Sequence, residues 1–447
     1  MGKVKVFTIR EHIIDASHIR DYARATADTQ DAVLKLHVKQ YTPRDNPTPR
    51  KGDVTIIGAH ATAFPKETYE PLWDELHQQL SRLGIRIRNV WIADAAWQGQ
   101  SGVLNQQEHL LGNEPSWYDY SRDMLHMINT FRPPRPLVAI GHSFGANALT
   151  HTAVLHPRLF HSMILLEPVI TRFHSTSLDS GRVLATMSAQ RRDVWPSRSA
   201  AAASFAKSPF LRAWDARAFD CFVKHGLRAV TPTPTTTITS SSIGTSTGSN
   251  SESAEKGGVE EGPVTLTTTK HQEVFTFLRP SWPAFDGQGQ AVVDASWLQD
   301  LRTAGGVELR PYPFYRAEAG LTFLRLPNVR PGVKYILGGT SQSVQQEDID
   351  ERLAITGTGL GGSGGAEAEG RVEQVSHATC GHLVPMEDPG YCAREAAVFI
   401  SKELRLWAEQ ERTYEEWVAS GTSDDKVRLT EDWMRHLGIK EKPASKM

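Results

Sequence analysis

The pattern of hydrophobic and polar positions predicts alternating strands and helices along the first part of the chain. From Val33 to Tyr41 apolar and polar residues alternate with period two, which indicates a half-buried, antiparallel strand. Leucines spaced three and four residues apart predict a helix over 69–83, and further helices are predicted over 118–130 and directly after residue 145. Mostly apolar runs, typical of strands buried on both faces of a parallel sheet, occupy 54–58, 87–93, 137–140 and 163–166.

This alternation predicts an α/β fold with a mostly parallel, doubly wound sheet. From about residue 171 to 327 the pattern changes to helix-like stretches rich in aromatic residues, and we expect a large helical cap there. Strands resume at Val333–Leu337 and at Arg371–Val375, and a final helix is predicted over 395–411. The expected organisation is therefore a first core part (1–170), the cap (171–327), a second core part (328–411) and a C-terminal tail (412–447).

Two segments are too rich in small and polar residues to bury apolar surface. Residues 231–262 consist largely of Thr, Ser, Gly and Glu, and we expect a flexible surface loop within the cap. Residues 357–370 are rich in glycine, and 357–362 fit G-x-G-x-x-G. A dinucleotide site would need a following helix and a later acidic residue, whereas more glycine follows here, so we expect a mobile loop.

Composition and charge narrow the class of protein. The 447 residues carry a formal net charge of -2, so no excess of basic residues is available for a nucleic acid partner. The three cysteines, at 221, 380 and 392, lack the spacing of a zinc site, and we expect neither a metal nor a cofactor. No secretory signal and no apolar run long enough for a membrane span are seen, so a soluble intracellular protein is expected.

The strongest chemical signal is the segment Gly141-His142-Ser143-Phe144-Gly145. It fits G-x-S-x-G, in which small flanking residues permit a strained strand-to-helix turn that exposes a serine hydroxyl. The segment follows a predicted buried strand and precedes a predicted helix. Ser143 is therefore the predicted nucleophile of a serine hydrolase with the α/β-hydrolase fold.

A serine nucleophile needs a histidine and, behind it, an acid, and in this fold the chain order is serine, acid, histidine. His382 follows the last predicted strand and is the predicted base, whereas His377 lies closer to the strand itself. No carboxylate follows the strand 333–337, so Glu167, at the end of the strand 163–166, is the favoured acid. Asp348 and Asp350 remain as alternatives.

The oxyanion hole of this fold combines the backbone N–H after the nucleophile with one from the loop after an early strand. Phe144 is expected to supply the first donor and Thr62 the second. Ala61 stands where many proteins of this fold carry glycine, which leaves the dihedral angles of this loop open.

The chain ends in Ser445-Lys446-Met447, which is similar to the peroxisomal address Ser-Lys-Leu. We therefore expect the peroxisomal matrix as the location and the peroxisomal import receptor as a partner. A homodimer is compatible with the sequence.

Several segments resemble one group of fungal secondary-metabolism α/β-hydrolases. The group includes the peroxisomal acyl-CoA hydrolase of mycophenolic acid biosynthesis and the hydrolases of AK-toxin-type clusters. In the mycophenolic-type enzymes the acid at the position of Glu167 is an aspartate, one methylene shorter. The resemblance extends over nearly the whole chain and is carried by Phe7–His12, His37–Pro43, Pro65–Glu67, Tyr69–Leu76, Asp193–Arg198, Leu326–Gly332 and Thr356–Gly359.

This resemblance implies hydrolysis of a thioester between coenzyme A and a polyketide- or fatty-acid-derived acyl group, in secondary-metabolite or toxin biosynthesis. Two alternatives stay open at this point. One is a peroxisomal lipase or carboxylic ester hydrolase with the same residues, and the other is a non-hydrolytic biosynthetic or binding role. Coenzyme A recognition would involve basic residues at the cap edge, for which the candidates are Arg191, Arg192 and Arg198.

Overall fold

A computed structural model describes residues 6–172, 180–230, 262–298, 300, 312–341, 345–366 and 370–439. The predicted flexible loop, apart from Gly262, and the predicted targeting tripeptide Ser445-Lys446-Met447 lie outside the described residues.

Strands in the described residues form one central sheet and two small sheets. In chain order the strands are β1 (Phe7–Asp15), β2 (Lys35–Pro43), β3 (Val54–Ala59), β4 (Ile87–Ala93), β5 (Leu137–His142), β6 (Ser162–Leu166), β7 (Val194–Trp195), β8 (Leu227–Ala229), β9 (Val264–Leu266), β10 (Arg279–Pro280), β11 (Phe314–Tyr315), β12 (Gly332–Gly338) and β13 (Val372–His377).

The central sheet has the order β1-β2-β4-β3-β5-β6-β12-β13. Strands β1 and β2 pair antiparallel, β2 pairs antiparallel with β4, and the pairings from β4 to β13 are all parallel. The mostly parallel sheet predicted from the sequence is thus confirmed. The chain runs outward from β3 to β4 and then returns to β5 on the other side of β3, so β3 and β5 border the switch point where ligands bind in open α/β sheets.

The helices are α1 (Glu70–Arg82), α2 (Gly99–Gln107), α3 (Trp117–Phe131), α4 (Phe144–Leu155), α5 (Ser180–Gln190), α6 (Arg198–Phe205), α7 (Pro209–Arg212), α8 (Ala216–His225), α9 (Lys270–Phe277), α10 (Ala317–Phe323), α11 (Gln346–Ile355), α12 (Val384–Glu387), α13 (Pro389–Ala419) and α14 (Glu431–His436). Short 3-10 turns add Ala23–Ala25, Lys66–Tyr69, Trp282–Ala284, Ala295–Leu298, Leu326–Asn328 and Asp425–Val427.

The main core lies where α3 and α4 pack on the sheet. Every residue of β3, β5 and β6 is buried, as expected for strands covered on both faces. Helix α3 contributes Met124 and Met127, and α4 contributes Leu149, all at most 1% exposed. This packing fixes the end of β5 and the start of α4, between which Ser143 lies.

The region predicted as a helical cap is not wholly helical. Helices α5 to α9 are present, but β7, β9 and β8 form a three-stranded antiparallel sheet and β10 pairs with β11. Each of these strands has only two or three residues, so none carries enough positions to show a strand period.

The chain divides into two compact units, residues 1–401 and 402–447. The second unit contains the last part of α13 and helix α14, which begins after Thr430, whose side chain accepts a hydrogen bond from the Trp433 N–H. None of the helices in the described residues is both long and apolar enough to cross a membrane.

Candidate active site

Ser143 lies in the turn that joins β5 to α4. Its φ of 56° and ψ of -122° are outside the regions that residues with a side chain ordinarily adopt. A Cβ atom on Gly145 would come within 2.4 Å of the carbonyl oxygen of His60, and one on Gly141 within 2.6 Å of the Cα of Ala146. Both glycines are therefore required for the close packing that holds this strained turn at the carboxyl edge of the sheet.

His382 lies between Ser143 and Glu167. Its Nε2 atom is 3.0 Å from Ser143 Oγ, and its Nδ1 atom is 3.0 Å from Glu167 Oε2. Since an ionised carboxylate only accepts hydrogen bonds, Nδ1 carries the proton and Nε2 is left to accept the proton of the serine hydroxyl. The structure brings the three predicted residues together in the order that proton transfer from the serine requires.

Glu167 accepts hydrogen bonds from three groups, on two separate segments. Besides the imidazole, Oε1 accepts from the Gly338 N–H at 2.6 Å and Oε2 accepts from the Ser341 hydroxyl at 2.7 Å. Burial raises the pKa of Glu167. The hydrogen bond from His382, the charge of His382 and the hydrogen bonds from Ser341 and Gly338 together outweigh burial, so the pKa is lowered overall. The carboxylate is therefore ionised at neutral pH.

The alternative acids lie elsewhere. Asp348 and Asp350 are on α11, where Asp348 accepts from the Arg172 N–H at 3.3 Å and Asp350 accepts from the Gln346 amide at 2.7 Å. Neither is a hydrogen-bond partner of His382 in the described residues. The end of β12, where no carboxylate is present, instead supplies a backbone donor to Glu167.

The loop that carries His382 is held on both sides. The Gly381 N–H donates to Glu387 Oε2 at 3.0 Å, and the Cys380 carbonyl accepts from the N–H and the hydroxyl of Thr340 at 3.0 and 2.9 Å. These bonds join the loop to α12 and to the end of β12, so the imidazole is presented from a fixed backbone.

The loop after β3, in which Thr62 is the predicted oxyanion donor, is fixed by two side chains. The Ala61 N–H donates to the Tyr69 hydroxyl at 2.8 Å, and the Ala63 N–H donates to Gln98 Oε1 at 2.7 Å. Between them, the N–H of Thr62 donates to no protein acceptor in the described residues. Ala63, with a φ of 72°, takes the left-handed conformation and Ala61 does not, so alanine in place of glycine at 61 costs no backbone strain.

Phe144, the other predicted donor, begins α4. Its N–H is among the first four of the helix, which have no partner within the helix. Its side chain is 1% exposed and anchors this end of α4 by packing against the rings of His60, Trp97, Trp117 and Tyr120. Thr62 and Phe144 remain predicted oxyanion donors.

Comparison with known proteins identifies the family. A model of the alpha/beta hydrolase family matches residues 56–395. The chain belongs to the alpha/beta hydrolase family. This hydrolase is 37% identical over 438 residues to the type I acyl-CoA thioesterase mpaH' of Penicillium brevicompactum, an alignment that covers 96% of this chain and 95% of that protein.

More distant relatives share less of the chain. An abhydrolase domain-containing protein of Alternaria alternata is 26% identical over 315 residues, which cover 68% of this hydrolase and 99% of that protein. Among solved structures, the peroxisomal alpha-beta-hydrolase Lpx1 of Saccharomyces cerevisiae matches with a TM-score of 0.63 at 16% identity, covering 97% of this chain and 96% of that chain. At that identity the match shows the fold alone.

In this hydrolase the cap helix α9 contacts the segment that fixes the oxyanion loop. The Thr276 hydroxyl accepts from Gln98 Nε2 at 2.9 Å and from Trp97 Nε1 at 2.8 Å, and its carbonyl accepts from Trp117 Nε1 at 2.8 Å. Gln98 and Thr276 are fully buried. Gln98 therefore connects α9 directly to the backbone beside Thr62.

The three predicted cap-edge arginines differ in their contacts. Arg191 forms an ion pair with the buried Glu273, and Arg198 donates to the carbonyls of residues 223, 224 and 227 at the end of α8. Arg192 is exposed, donates its Nε–H to the Val194 carbonyl at 2.8 Å, and lies over the ring of Trp195, 5.9 Å from its centroid. Neutralising Arg191 or Arg198 would thus disturb the cap itself, whereas neutralising Arg192 removes a contact with the Trp195 ring but leaves no buried hydrogen-bond or ion-pair partner behind.

Sequence reasoning missed the residues that position the site. Tyr69 and Gln98 accept hydrogen bonds from the backbone N–H groups on either side of Thr62, and the His142 imidazole contacts the carbonyl oxygen of His382 itself. His142 lies inside the G-x-S-x-G segment and could have been considered, but Tyr69 and Gln98 carry no motif. In the part of the chain that the structure describes, no group of three or more His, Cys, Asp or Glu side chains is placed to hold a metal ion.

Proposed function

We propose that this hydrolase cleaves the thioester between coenzyme A and an acyl group from polyketide or fatty-acid metabolism, through an acyl-enzyme on Ser143. The hydrogen-bonded series Ser143–His382–Glu167 is the observation that carries the proposal, because it is the arrangement that activates a serine hydroxyl. The thioester substrate is supported by the 37% identity, over 96% of the chain, to a protein named as an acyl-CoA thioesterase.

In the first half of the reaction the Ser143 oxygen attacks the thioester carbonyl carbon while its proton passes to His382 Nε2. Glu167 holds the imidazole in the required tautomer and stabilises the imidazolium that forms. The N–H groups of Thr62 and Phe144 are assigned to the developing oxyanion. The carbon–sulfur bond then breaks, His382 returns the proton to the sulfur, and coenzyme A leaves as the thiol.

In the second half, water repeats these steps on the acyl-enzyme. His382 takes a proton from water as the hydroxide oxygen attacks the ester carbonyl. The second tetrahedral intermediate collapses by breaking the bond to Ser143 Oγ, which regains the proton from His382. The products are the free carboxylic acid and the restored enzyme.

The test is thiol release from a panel of acyl-CoA substrates with short, long and aromatic acyl groups, measured beside p-nitrophenyl esters. We expect thiol release from the long or aromatic members. The Ser143→Ala variant, with an unchanged melting temperature, should lose at least about 10³-fold in kcat because the nucleophile is gone.

The outcomes separate this proposal from its alternatives. Turnover of oxygen esters alone would reject coenzyme A thioesters as the substrates and leave a serine esterase. Failure of a fluorophosphonate probe to label Ser143 in the wild-type protein would reject the serine mechanism altogether and favour a non-hydrolytic role.

We further propose that the enzyme acts in the peroxisomal matrix, in fungal secondary-metabolite or toxin biosynthesis. The location is supported by the tripeptide Ser445-Lys446-Met447, which is similar to a receptor-read peroxisomal address. The biosynthetic role is supported by the similarity to the Penicillium and Alternaria proteins. A fluorescent protein fused to the amino end of the chain should co-localise with a peroxisomal marker in fungal cells. The same fusion with Lys446→Glu should become diffuse, and unchanged peroxisomal location of that variant would contradict the assignment.

A further inference from the structure

A series of buried hydrogen bonds links the predicted oxyanion loop to the backbone of the predicted base. The Ala61 N–H donates to the Tyr69 hydroxyl at 2.8 Å, and that hydroxyl lies 2.7 Å from His142 Nδ1. On the other side of its ring, His142 Nε2 lies 2.8 Å from the carbonyl oxygen of His382. The series therefore runs from the neighbour of Thr62 to the residue that faces Ser143.

The direction of each hydrogen bond in this series is fixed. The His382 carbonyl oxygen can only accept a hydrogen bond. His142 Nε2 therefore carries a hydrogen and donates a hydrogen bond to that oxygen. The neutral ring then accepts at Nδ1 from the Tyr69 hydroxyl, whose oxygen in turn accepts from the Ala61 N–H. Tyr69 is thus the one group that serves as donor toward the base and acceptor toward the oxyanion loop.

Burial keeps both side chains in this neutral arrangement. Tyr69 is 2% exposed and His142 is fully buried. Burial lowers the pKa of His142 well below its usual value, and the neighbouring His382, whose ring centroid is 5.4 Å away, lowers it further. Burial likewise raises the pKa of Tyr69. Both His142 and Tyr69 therefore stay neutral, and neither places a charge beside His382 when the His382 ring takes up a proton.

We propose that Tyr69 and His142 are positioning residues, which hold the Thr62 N–H and the His382 imidazole at matched positions on either side of the reacting carbonyl. The inference rests on the proposed function, because it explains how the oxyanion loop and the base of that site keep their relative positions. Neither side chain touches the reacting atoms in this scheme. Loss of the link is expected to slow acylation of Ser143 more than it weakens substrate binding.

The main test is Tyr69→Phe, which deletes the hydroxyl and keeps the ring. Tyr335→Phe is the matched control, because Tyr335 is also fully buried and its hydroxyl is 2.8 Å from Thr356 Oγ1, with no contact to Ser143, His382 or Glu167. Three quantities are measured for each: the rate constant of fluorophosphonate labelling of Ser143, kcat and KM for acyl-CoA, and the melting temperature.

We expect Tyr69→Phe to lower the labelling rate constant and kcat by about 10- to 100-fold with little change in KM, since small displacements of reacting groups cost that much. Tyr335→Phe should lower the melting temperature to a similar extent and leave both rates unchanged. Equal rates in the two variants would overturn the proposal and leave Tyr69 as a core residue.

A second pair of variants tests the other residue and applies if Tyr69→Phe does not fold. His142→Gln keeps an amide that can donate to the His382 carbonyl and accept from Tyr69, whereas His142→Leu removes both hydrogen bonds. The labelling rate constant should be at least about tenfold higher for His142→Gln than for His142→Leu, because misplacement of a reacting group lowers a rate by at least that factor. Equal labelling of the two would contradict the proposal.

The labelling experiment also separates this inference from the proposed function. If the wild-type protein is labelled at Ser143 but releases no thiol from any acyl-CoA, the substrate assignment fails while the labelling ratios still test the link. If acyl-CoA is hydrolysed equally by wild type and Tyr69→Phe, the function stands and the link is rejected.

Discussion

Glu167 is the carboxylate that contacts His382, and it follows β6 instead of the neighbouring strand β12. It sits at the end of β6 with a φ of 44°, and its backbone N–H donates to the Ile336 carbonyl of β12 at 3.0 Å. From this strained position the side chain reaches both the Gly338 N–H and the imidazole of His382. Because its pKa is lowered in the folded protein, its ionised form stabilises the fold above about pH 4.5, and that contribution is lost as the pH falls through the lowered pKa.

Substituting Glu167 tests the identity of the acid. Glu167→Gln keeps the size of the side chain but cannot fix the tautomer of His382 or stabilise its cation, so kcat should fall by about 10⁴-fold. Glu167→Asp shortens the side chain by one methylene, so it should lose either the Gly338 or the His382 contact, with a smaller fall in kcat of about tenfold to hundredfold. Steady-state thiol release by the wild type and both variants measures these effects.

Asp348→Asn is the control for this experiment. Asp348 accepts a backbone hydrogen bond from Arg172 on another segment and should be replaceable without loss of turnover. Near-wild-type activity of Glu167→Gln together with an inactive Asp348→Asn would show that the acid has been assigned to the wrong residue.

Site residues that are marked by a neighbouring sequence pattern could be predicted from the sequence. Residues whose role depends on contacts with distant parts of the chain could not. Ser143 is marked by its own pentapeptide, and His382 and Glu167 follow from their places after strands. Tyr69 acquires its role from contact with His142, 73 positions away in the chain, and such a pairing leaves no periodic or compositional trace.

At the scale of elements, burial decided which strands and helices were predictable. The strands β3, β4, β5 and β6 were predicted within two residues of their bounds, because strands buried on both faces are mostly apolar. Strand β1 was missed, since it is a sheet edge whose residues are mostly exposed and several of which are charged. Helix α2 was missed because its buried residues include Gly99, Ser101 and Asn105 instead of an apolar stripe.

Two segments rich in small and polar residues, 357–370 and 231–262, were predicted from the sequence to be loops without a fixed structure. In the first, the N–H groups of Gly357, Gly359 and Ser363 donate to carbonyls of residues 326, 327 and 329, so much of this loop is tied to the chain before β12. The second, 231–261, lies outside the described residues, but its flanks are adjacent, because the Val230 N–H donates to the Pro263 carbonyl at 2.9 Å and β8 pairs with β9.

On the scale of the whole molecule, we predict that the segment 231–262 can be replaced by a short Gly/Ser turn between Val230 and Pro263. Since β8 and β9 already meet at this point, the replacement closes a hairpin and needs no movement of the cap sheet. The shorter connection costs less entropy to close, so the free energy of unfolding should rise by up to about 2 kcal/mol, with kcat and KM unchanged. Chemical denaturation and thiol-release kinetics measure the two quantities.

The matched control replaces 359–363, the sequence Gly-Leu-Gly-Gly-Ser, with five glycines. That change removes the side chains of Leu360 and Ser363, keeps the backbone donors of the loop and leaves the rest of the chain intact. It therefore reports the effect of substitution in a glycine-rich loop without a change of length. A fall in kcat after replacement of 231–262, at unchanged stability and with an active control, would contradict the prediction. It would mean that this part of the cap contributes to substrate binding or to closure over Ser143, and that low sequence complexity had been mistaken for dispensability.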